Sequence, residues 1–311
     1  MKRPPLTNVG ASVRQRLLTR SRERREEFQN LLMRFAIERL LYRLGSSQYR
    51  EEFILKGAML FTLWGDPHRP TRDLDVLGRG KSDVESLKNV FRRICAATVT
   101  DDGVKFDGGG IQGERIRSDQ DSPGVRLFIP IHIEAARVRL QVDVGFGDVV
   151  VPEPESVEYP ALLDFPAPRL LAYPREAVVA EKFQAMLNLG MANSRMKDLY
   201  DIWALANRFE FSGNRLARAI RATFKRRGTS LESGAIVVLG DEFAGSRAKQ
   251  AQWQGFVRKG GLVEAVASLE DVVRFIRGFL LPPTEGLERS DCFEEDWPPG
   301  GPWSGPHGPK T

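Results

Sequence analysis

Between Val151 and Pro174 the chain reads VPEPESVEYPALLDFPAPRLLAYP, and its six prolines separate an upstream part of the sequence from a downstream one. Proline fixes φ and lacks a backbone donor, so neither a long helix nor a central strand can run through such a stretch. An extended connection is expected there. Upstream, VRLFIPIHIEAARVRLQVDVGFG alternates apolar and polar residues as two longer strands. Downstream, REAVVAEKFQAMLNLG, SRMKDLYDIWALANRF and LVEAVASLEDVVRFIRGFL carry apolar faces at helical spacing to about residue 280. Strands followed by helices predict an α/β chain of the segregated, α+β kind.

The remaining elements fit that division. SVRQRLLTRSRERREEFQNLLMRFAIERLLYRLG predicts a helix hinged near Arg20, with Phe28, Leu31, Leu32, Phe35, Leu40 and Leu41 on an apolar stripe. FILKGAMLFTLW passes from a strand at Phe53 to Leu55 into a second helix through Lys56 and Gly57, and residues 83–97 predict another with Leu87, Val90, Phe91 and Ile94 on one side. Residues 104–117 read as two strands around a Gly-rich turn. From Pro282 onward Pro and Gly recur without periodicity, and disorder is expected. The expected organisation is an N-terminal helical segment (1–50), a core (51–160), a helical region (161–281) and a tail (282–311).

At 311 residues, with 41% hydrophobic and 28% charged residues, the chain is long enough for two packed regions and too apolar for wholesale disorder. A net charge of +5 suits a polyanionic partner. RSRERREE is read either as a solvated face laced with ion pairs or as a nucleic-acid patch. Two cysteines, Cys95 and Cys292, and three histidines give no zinc constellation and no disulfide framework. With no secretory signal or membrane-length apolar run, a cytoplasmic protein without membrane contact is expected.

HRPTRDLDVLG carries the chemistry. In a strand, side chains two residues apart share a face, so Asp73 and Asp75 project together while Leu74 and Val76 pack the other way. Such a fork suits a divalent cation with hard oxygen ligands, Mg2+ first. Alternatively it is a solvated strand end balanced by Arg69 and Arg72. Val138, Leu140, Val142 and Val144 place Asp143 on the opposite face of its own strand, giving a third strand-borne carboxylate on what is expected to be an antiparallel neighbour. Three such carboxylates suit a two-metal site that binds a nucleoside triphosphate (NTP) and activates a hydroxyl, with Asp143 able to take its proton. LKGAML supplies a glycine at a strand-to-helix turn, where N–H groups favour phosphate. Asp198 and Asp201 lie i,i+3 on one helix and can meet Lys182 of the preceding one, as a functional cluster or an interhelix salt bridge. Arg69 and Thr71 flank the Asp pair, and Arg69 can contact phosphate or balance the carboxylates. His68, His132, Trp203 and Trp253 read as loop, strand and core residues.

LKGAMLFTLWG, RPTRDLDVL, LQVDVGFGD, AEKFQAML and RMKDLYDIW, in that order, resemble the AbiEii/AbiGii toxin family of nucleotidyltransferases, relatives of the MenT toxins, over roughly residues 30–210. The resemblance implies a minimal DNA-polymerase-β-like nucleotidyltransferase core with a mixed sheet and a helical C-terminal region. It implies metal-dependent transfer from an NTP to an acceptor, with tRNA as the family-implied choice, by the toxin of a toxin–antitoxin or phage-defence pair whose antitoxin is encoded nearby. Carried over residue by residue, Gly57 and Ala58, beside Lys56, match the phosphate-binding turn, and Asp73 and Asp75 match the metal-binding pair. Lys182 matches the triphosphate-binding lysine, Asp198 the acidic residue of the KD motif, and Asp143 the third carboxylate. Ala58 stands where many such enzymes have serine, so backbone N–H groups must serve without a hydroxyl. Transfer to a small molecule, or a non-catalytic nucleotide- or partner-binding module, are the alternatives. Labelled NTPs and total RNA separate them.

Overall fold

The computed structural model describes residues 8–65, 72–116, 124–230, 235–262, 267–289 and 293–305. The chain forms two compact units, Met1–Asp148 with Glu155–Ala172, and Val149–Pro154 with Tyr173–Thr311.

The first unit opens with two helices. α1 (Val9–Arg24) starts where the Asn8 side chain accepts from the Ala11 N–H at 2.9 Å, which satisfies an otherwise orphan donor. It ends at Arg25, whose φ of 53° is left-handed. The hinge expected near Arg20 therefore falls at Arg25, where Ser21 Oγ donates to the Glu26 carbonyl at 2.6 Å. No glycine marks this turn in the sequence. α2 (Phe28–Gly45) is buried on more than one stripe, since Glu38, Arg39 and Arg43 are enclosed with the apolar residues. Each of these charges has a partner, as burial demands. Arg39 pairs with Glu38 at 2.7 Å beneath the Tyr42 and Phe165 rings. Arg43 forks onto Asp102 at 2.7 and 3.0 Å. Burial pushes the Glu38 carboxyl above its ordinary pKa, although Arg39 pulls the other way.

β1 (Phe53–Lys56), α3 (Met59–Leu63), β2 (Asp73–Gly78), α4 (Val84–Cys95), β3 (Val104–Phe106), β4 (Gln112–Ile116), β5 (Gly124–Ile133), β6 (Ala136–Phe146), β7 (Glu155–Glu158) and β8 (Arg169–Ala172) come next along the chain. The strands make one mixed sheet in the order β3-β5-β6-β2-β1-β8-β7, with β4 also on β5. One expectation changes here. β2 and β6 run parallel, not antiparallel. The strands expected in 104–117 both pair with β5, and Pro130 sits between the β5 residues that pair with β4 and those that pair with β3. A residue without an N–H is accommodated at that interruption.

The Pro-rich segment joins the sheet instead of only crossing between regions. β8 pairs parallel with β1 and antiparallel with β7, so the sheet continues past residue 160 to Ala172. Its prolines fall outside the two strands, where no ladder donor is lost. Leu74, Val76, Val142 and Val144 are buried, whereas Asp73, Asp75, Gln141 and Asp143 are half-buried on the opposite face.

The second unit contains α5 (Arg175–Leu189), α6 (Met196–Arg208), β9 (Phe211–Ser212), α7 (Gly213–Arg226), α8 (Ala235–Val238), α9 (Asp241–Gly245), α10 (Arg247–Lys259), α11 (Leu269–Arg289) and β10 (Asp296–Trp297). The tail expected to be disordered from Pro282 instead continues α11 to Arg289, and β10 then pairs with β9. Trp297 is buried, its Nε1–H donates to the Ala206 carbonyl at 2.8 Å, and its ring lies 5.0 Å from Phe279. Trp303 stacks on the same ring at 5.7 Å. Aromatic insertion, which needs no periodicity, holds this segment. Among the described residues, no helix is long and apolar enough to cross a membrane.

Candidate functional site

The strand registers bring charged residues into one row across the first unit's sheet. Lys56 of β1 lies opposite Asp75 of β2, Asp75 beside Asp143 of β6, Asp143 opposite Arg126 of β5, and Arg126 opposite Glu114 of β4. Paired residues on neighbouring strands point to one face, so the row is a ribbon of cations and carboxylates. Asp73 stands one pleat along, beside Gln141. The three aspartates thus share a sheet face.

Two basic side chains hold this face. Arg126 donates to both Asp143 oxygens, Nε and one terminal nitrogen each at 2.8 Å. Gln141 adds a bond to the same carboxylate at 3.2 Å. The Asp143 hydrogen bond is the largest influence raising the Arg126 pKa, with the charges of Asp143, Asp73 and Glu114 adding to it. Lys56 Nζ bonds Asp148 at 2.9 Å, and the Asp148 side chain is only 8% exposed. Neither Arg126 nor Asp148 was singled out from sequence. The alternation of Arg126, Phe128, Pro130 and His132 along β5 was the available signal for the first, and the GFGD ending of β6 for the second.

Arg72, one candidate to neutralise the pair, turns instead to Asn30 at 3.1 Å and Glu27 at 3.3 Å. His68, Arg69 and Thr71 lie outside the described residues. His132 is a half-buried strand residue. In the second unit, Trp253 is buried and Trp203 half-buried, with its ring 6.0 Å from Tyr200.

Gly57 and Ala58 form the turn between β1 and α3. Gly57 has φ of 73°, and a Cβ there would be driven into the Asp75 carboxylate. Only glycine lets the backbone pass this close. α3 has five residues, so its dipole is small, and any phosphate cradle rests on the turn itself. Gly57→Ala is expected to cost about 1–3 kcal/mol in backbone strain and to displace Asp75. A thermal melt beside a transfer assay checks this, and unchanged activity would separate the turn from the chemistry.

A cation implied by two carboxylates has to match the donors present. Asp73 and Asp75 offer hard oxygens from one face, as Mg2+ requires when substrate phosphates and water complete its shell. Among the described residues no group of three or more acidic, histidine or cysteine side chains converges for a metal. Asp143 is committed to Arg126. The residues therefore fit a hard cation on the Asp73–Asp75 pair, and a third ligand from Asp143 would require Arg126 to release it.

In the second unit, Lys182 of α5 meets two carboxylates of α6, Asp198 at 2.7 Å and Asp201 at 2.6 Å, both fully buried. Arg195 approaches the other Asp198 oxygen at 2.9 Å. Burial alone pushes the Lys182 ammonium down, but Asp201 and Asp198 outweigh it and hold its pKa above the usual lysine range. Burial likewise raises Asp198, and Lys182 and Arg195 overcome it, leaving that carboxyl below its usual value.

These two shifts tie stability to opposite ends of the pH scale. The raised lysine contributes stability that is complete below its unfolded pKa and is lost as pH rises through the folded value. The lowered Asp198 contributes stability present above its unfolded pKa and lost as pH falls through the folded one. Lys182→Met is expected to cost about 3–5 kcal/mol at neutral pH, because the buried Asp198 and Asp201 carboxylates lose the lysine they share. Urea unfolding measures the loss. Lys182 helps to hold the Asp198 carboxyl below its usual value, so protonation of Asp198 removes the charge this lysine pairs and the difference from wild type should narrow in acid. A constant difference from neutral pH to pH 3 would contradict this assignment.

A family model described as nucleotidyl transferase AbiEii toxin, type IV toxin–antitoxin system, matches residues 39–274. Two Helicobacter pylori crystal structures, one described as a nucleotidyltransferase and the other as JHP933, each share 17% identity and superpose with a TM-score of 0.51. Each match covers 85% of this chain, and 98% and 95% of the respective relatives. At that identity the likeness carries the fold. No curated protein matches the chain in sequence.

Proposed function

The chain belongs to the AbiEii family of nucleotidyl transferase toxins of type IV toxin–antitoxin systems, and on that premise we propose that it moves a nucleotidyl group from an NTP to an RNA hydroxyl, with tRNA as the acceptor, in a reaction that needs Mg2+. The observation that carries this reading is the sheet face on which the half-buried Asp73, Asp75 and Asp143 lie side by side. Asp73 and Asp75 are assigned as the cation ligands. Mg2+ bound there would neutralise phosphate charge and lower the barrier to phosphoryl transfer.

The protein's own residues supply placement and electrostatics. The Gly57–Ala58 turn is assigned to the NTP phosphates, and Lys56, held by Asp148, adds a cation beside it. Arg126, fixed by two bonds to Asp143, presents a guanidinium on the same face. Arginine in such a fork suits planar recognition of phosphate oxygens. Asp143 is assigned the positioning of Arg126, and it can accept the proton of the attacking hydroxyl only when that fork opens. Arg69 and Thr71 are assigned to the nucleotide through the family pattern. Lys182 is assigned to the nucleotide through the family pattern alone. Growth inhibition or phage defence in the cell, with relief by a cognate antitoxin, would result from RNA modification.

Purified protein with each labelled NTP, total RNA and Mg2+ tests the proposal. Label on RNA that disappears with chelation supports it. Label on a small molecule would move the acceptor to that class. NTP binding without transfer under all conditions would make the chain a binding module.

A further inference from the structure

A second basic feature lies in the first unit, on residues other than the carboxylate face. A cavity of about 300 Å3 is lined by Arg20 and Arg24 of α1, Arg34 and Glu38 of α2, and Thr62 and Tyr159 among others. Among the described residues that line it, basic side chains outnumber acidic ones. Arg34 is matched by Glu26 at 2.8 Å, and Glu38 by Arg39 at 2.7 Å. Among the described residues, Arg20 and Arg24 have neither a hydrogen bond nor an ion pair, so two guanidiniums one helical turn apart, Arg20 half-buried and Arg24 exposed, line the cavity without a carboxylate partner. The dipole at the end of α1 favours Arg24, yet it does not account for Arg20 and Arg34 on the same wall.

RSRERREE therefore contributes more than a solvated face. Its Glu26 crosses to Arg34 of the next helix, leaving Arg20 and Arg24 turned to the cavity. Arg20, Arg24, Arg34 and Glu38 all precede residue 39, where the family match begins.

We infer that this cavity is a phosphate-binding site. Guanidinium groups recognise phosphate oxygens in paired bonds, and a surplus of two positive charges suits either a phosphate dianion or two neighbouring phosphodiesters. The volume is at the small end of ligand pockets, enough for a phosphoryl group and its immediate substituent. The source is a polynucleotide backbone or a free phosphorylated compound. Binding here is read directly, so failure of the transfer reaction would leave it standing.

The test uses the full chain and the double substitution Arg20→Gln with Arg24→Gln, which keeps helix-forming side chains and removes both charges. Binding of a short fluorescent single-stranded RNA is measured across salt concentrations, and binding of pyrophosphate by calorimetry. Loss of at least about tenfold in RNA affinity, with the salt slope lowered by about 1.4 for two lost contacts on a single strand, identifies a polynucleotide site. Loss of pyrophosphate binding with RNA affinity kept identifies a free phosphoryl ligand. Arg20→Lys with Arg24→Lys should recover only part of the binding if the fork matters, and Arg22→Gln should change nothing. Wild-type binding of both probes in the Gln variant, or no binding of either by the wild type, overturns the inference. Matching thermal melts confirm that the variants are folded.

Discussion

Asp75→Asn is expected to lower nucleotidyl transfer by about a hundred- to a thousandfold or more, the scale on which removal of one charged or polarising group acts in a preorganised site. Folding should survive. Asp75 is half-buried on the carboxylate-bearing face, and its apolar strand neighbours Leu74 and Val76 face the core unchanged. Asparagine keeps the outline that meets the Gly57 turn. Removing one charge also relieves repulsion with Asp143, its register partner. The measurement is label incorporated from an NTP into total RNA, with circular dichroism melts of both proteins. Wild-type transfer by the variant would remove this face from the chemistry, whereas an unfolded variant would make the carboxylate structural.

Trp297→Ala should unfold the second unit more readily than any surface change, at a cost of about 3–5 kcal/mol, the usual range for a buried tryptophan cut to alanine. The indole is 3% exposed, and its loss also leaves the Ala206 carbonyl with one hydrogen bond instead of two, the remaining one from the Gly300 N–H at 3.0 Å. Phe275 and Phe279 lose an edge-on neighbour at 5.6 and 5.0 Å. Urea unfolding followed by near-ultraviolet circular dichroism reads the shift in midpoint. Trp303→Ala, at the half-buried end of the stack, should cost less. If Trp297→Ala melts like wild type, residues 293–305 are an appendage and not a strap over the core.

Local periodicity made part of this molecule legible. The period of two placed Asp73 with Asp75 and set Asp143 apart from the apolar residues of its strand, because those relations are fixed within a few residues. The direction of β6 relative to β2 was not legible, since no tight turn joins them and register between distant strands is set by the whole sheet. For the same reason Arg126 looked like one more polar residue until β5 was laid against β6. The i,i+3 spacing brought Asp198 and Asp201 to one side of α6, but their complete burial depends on packing around them. The C-terminal segment misled through composition. Its tryptophans lock between rings of α11 without an amphipathic pattern, and Pro and Gly supply the bends that let them do so.

The ends of the sheet also bear on how this protein behaves in company. One side closes with β3 and β4, of three and five residues, and the other with β7, of four. The pairing of β3 and β4 along β5 is interrupted at Pro130, while β7 carries Glu155 and Glu158 and meets Arg169 across the ladder. Short, charged and broken margins give an incoming strand few backbone groups to copy. Edge-to-edge growth into aggregates is thereby discouraged, and a protein that docks on this unit gains more from its side-chain surfaces than by extending its ladder.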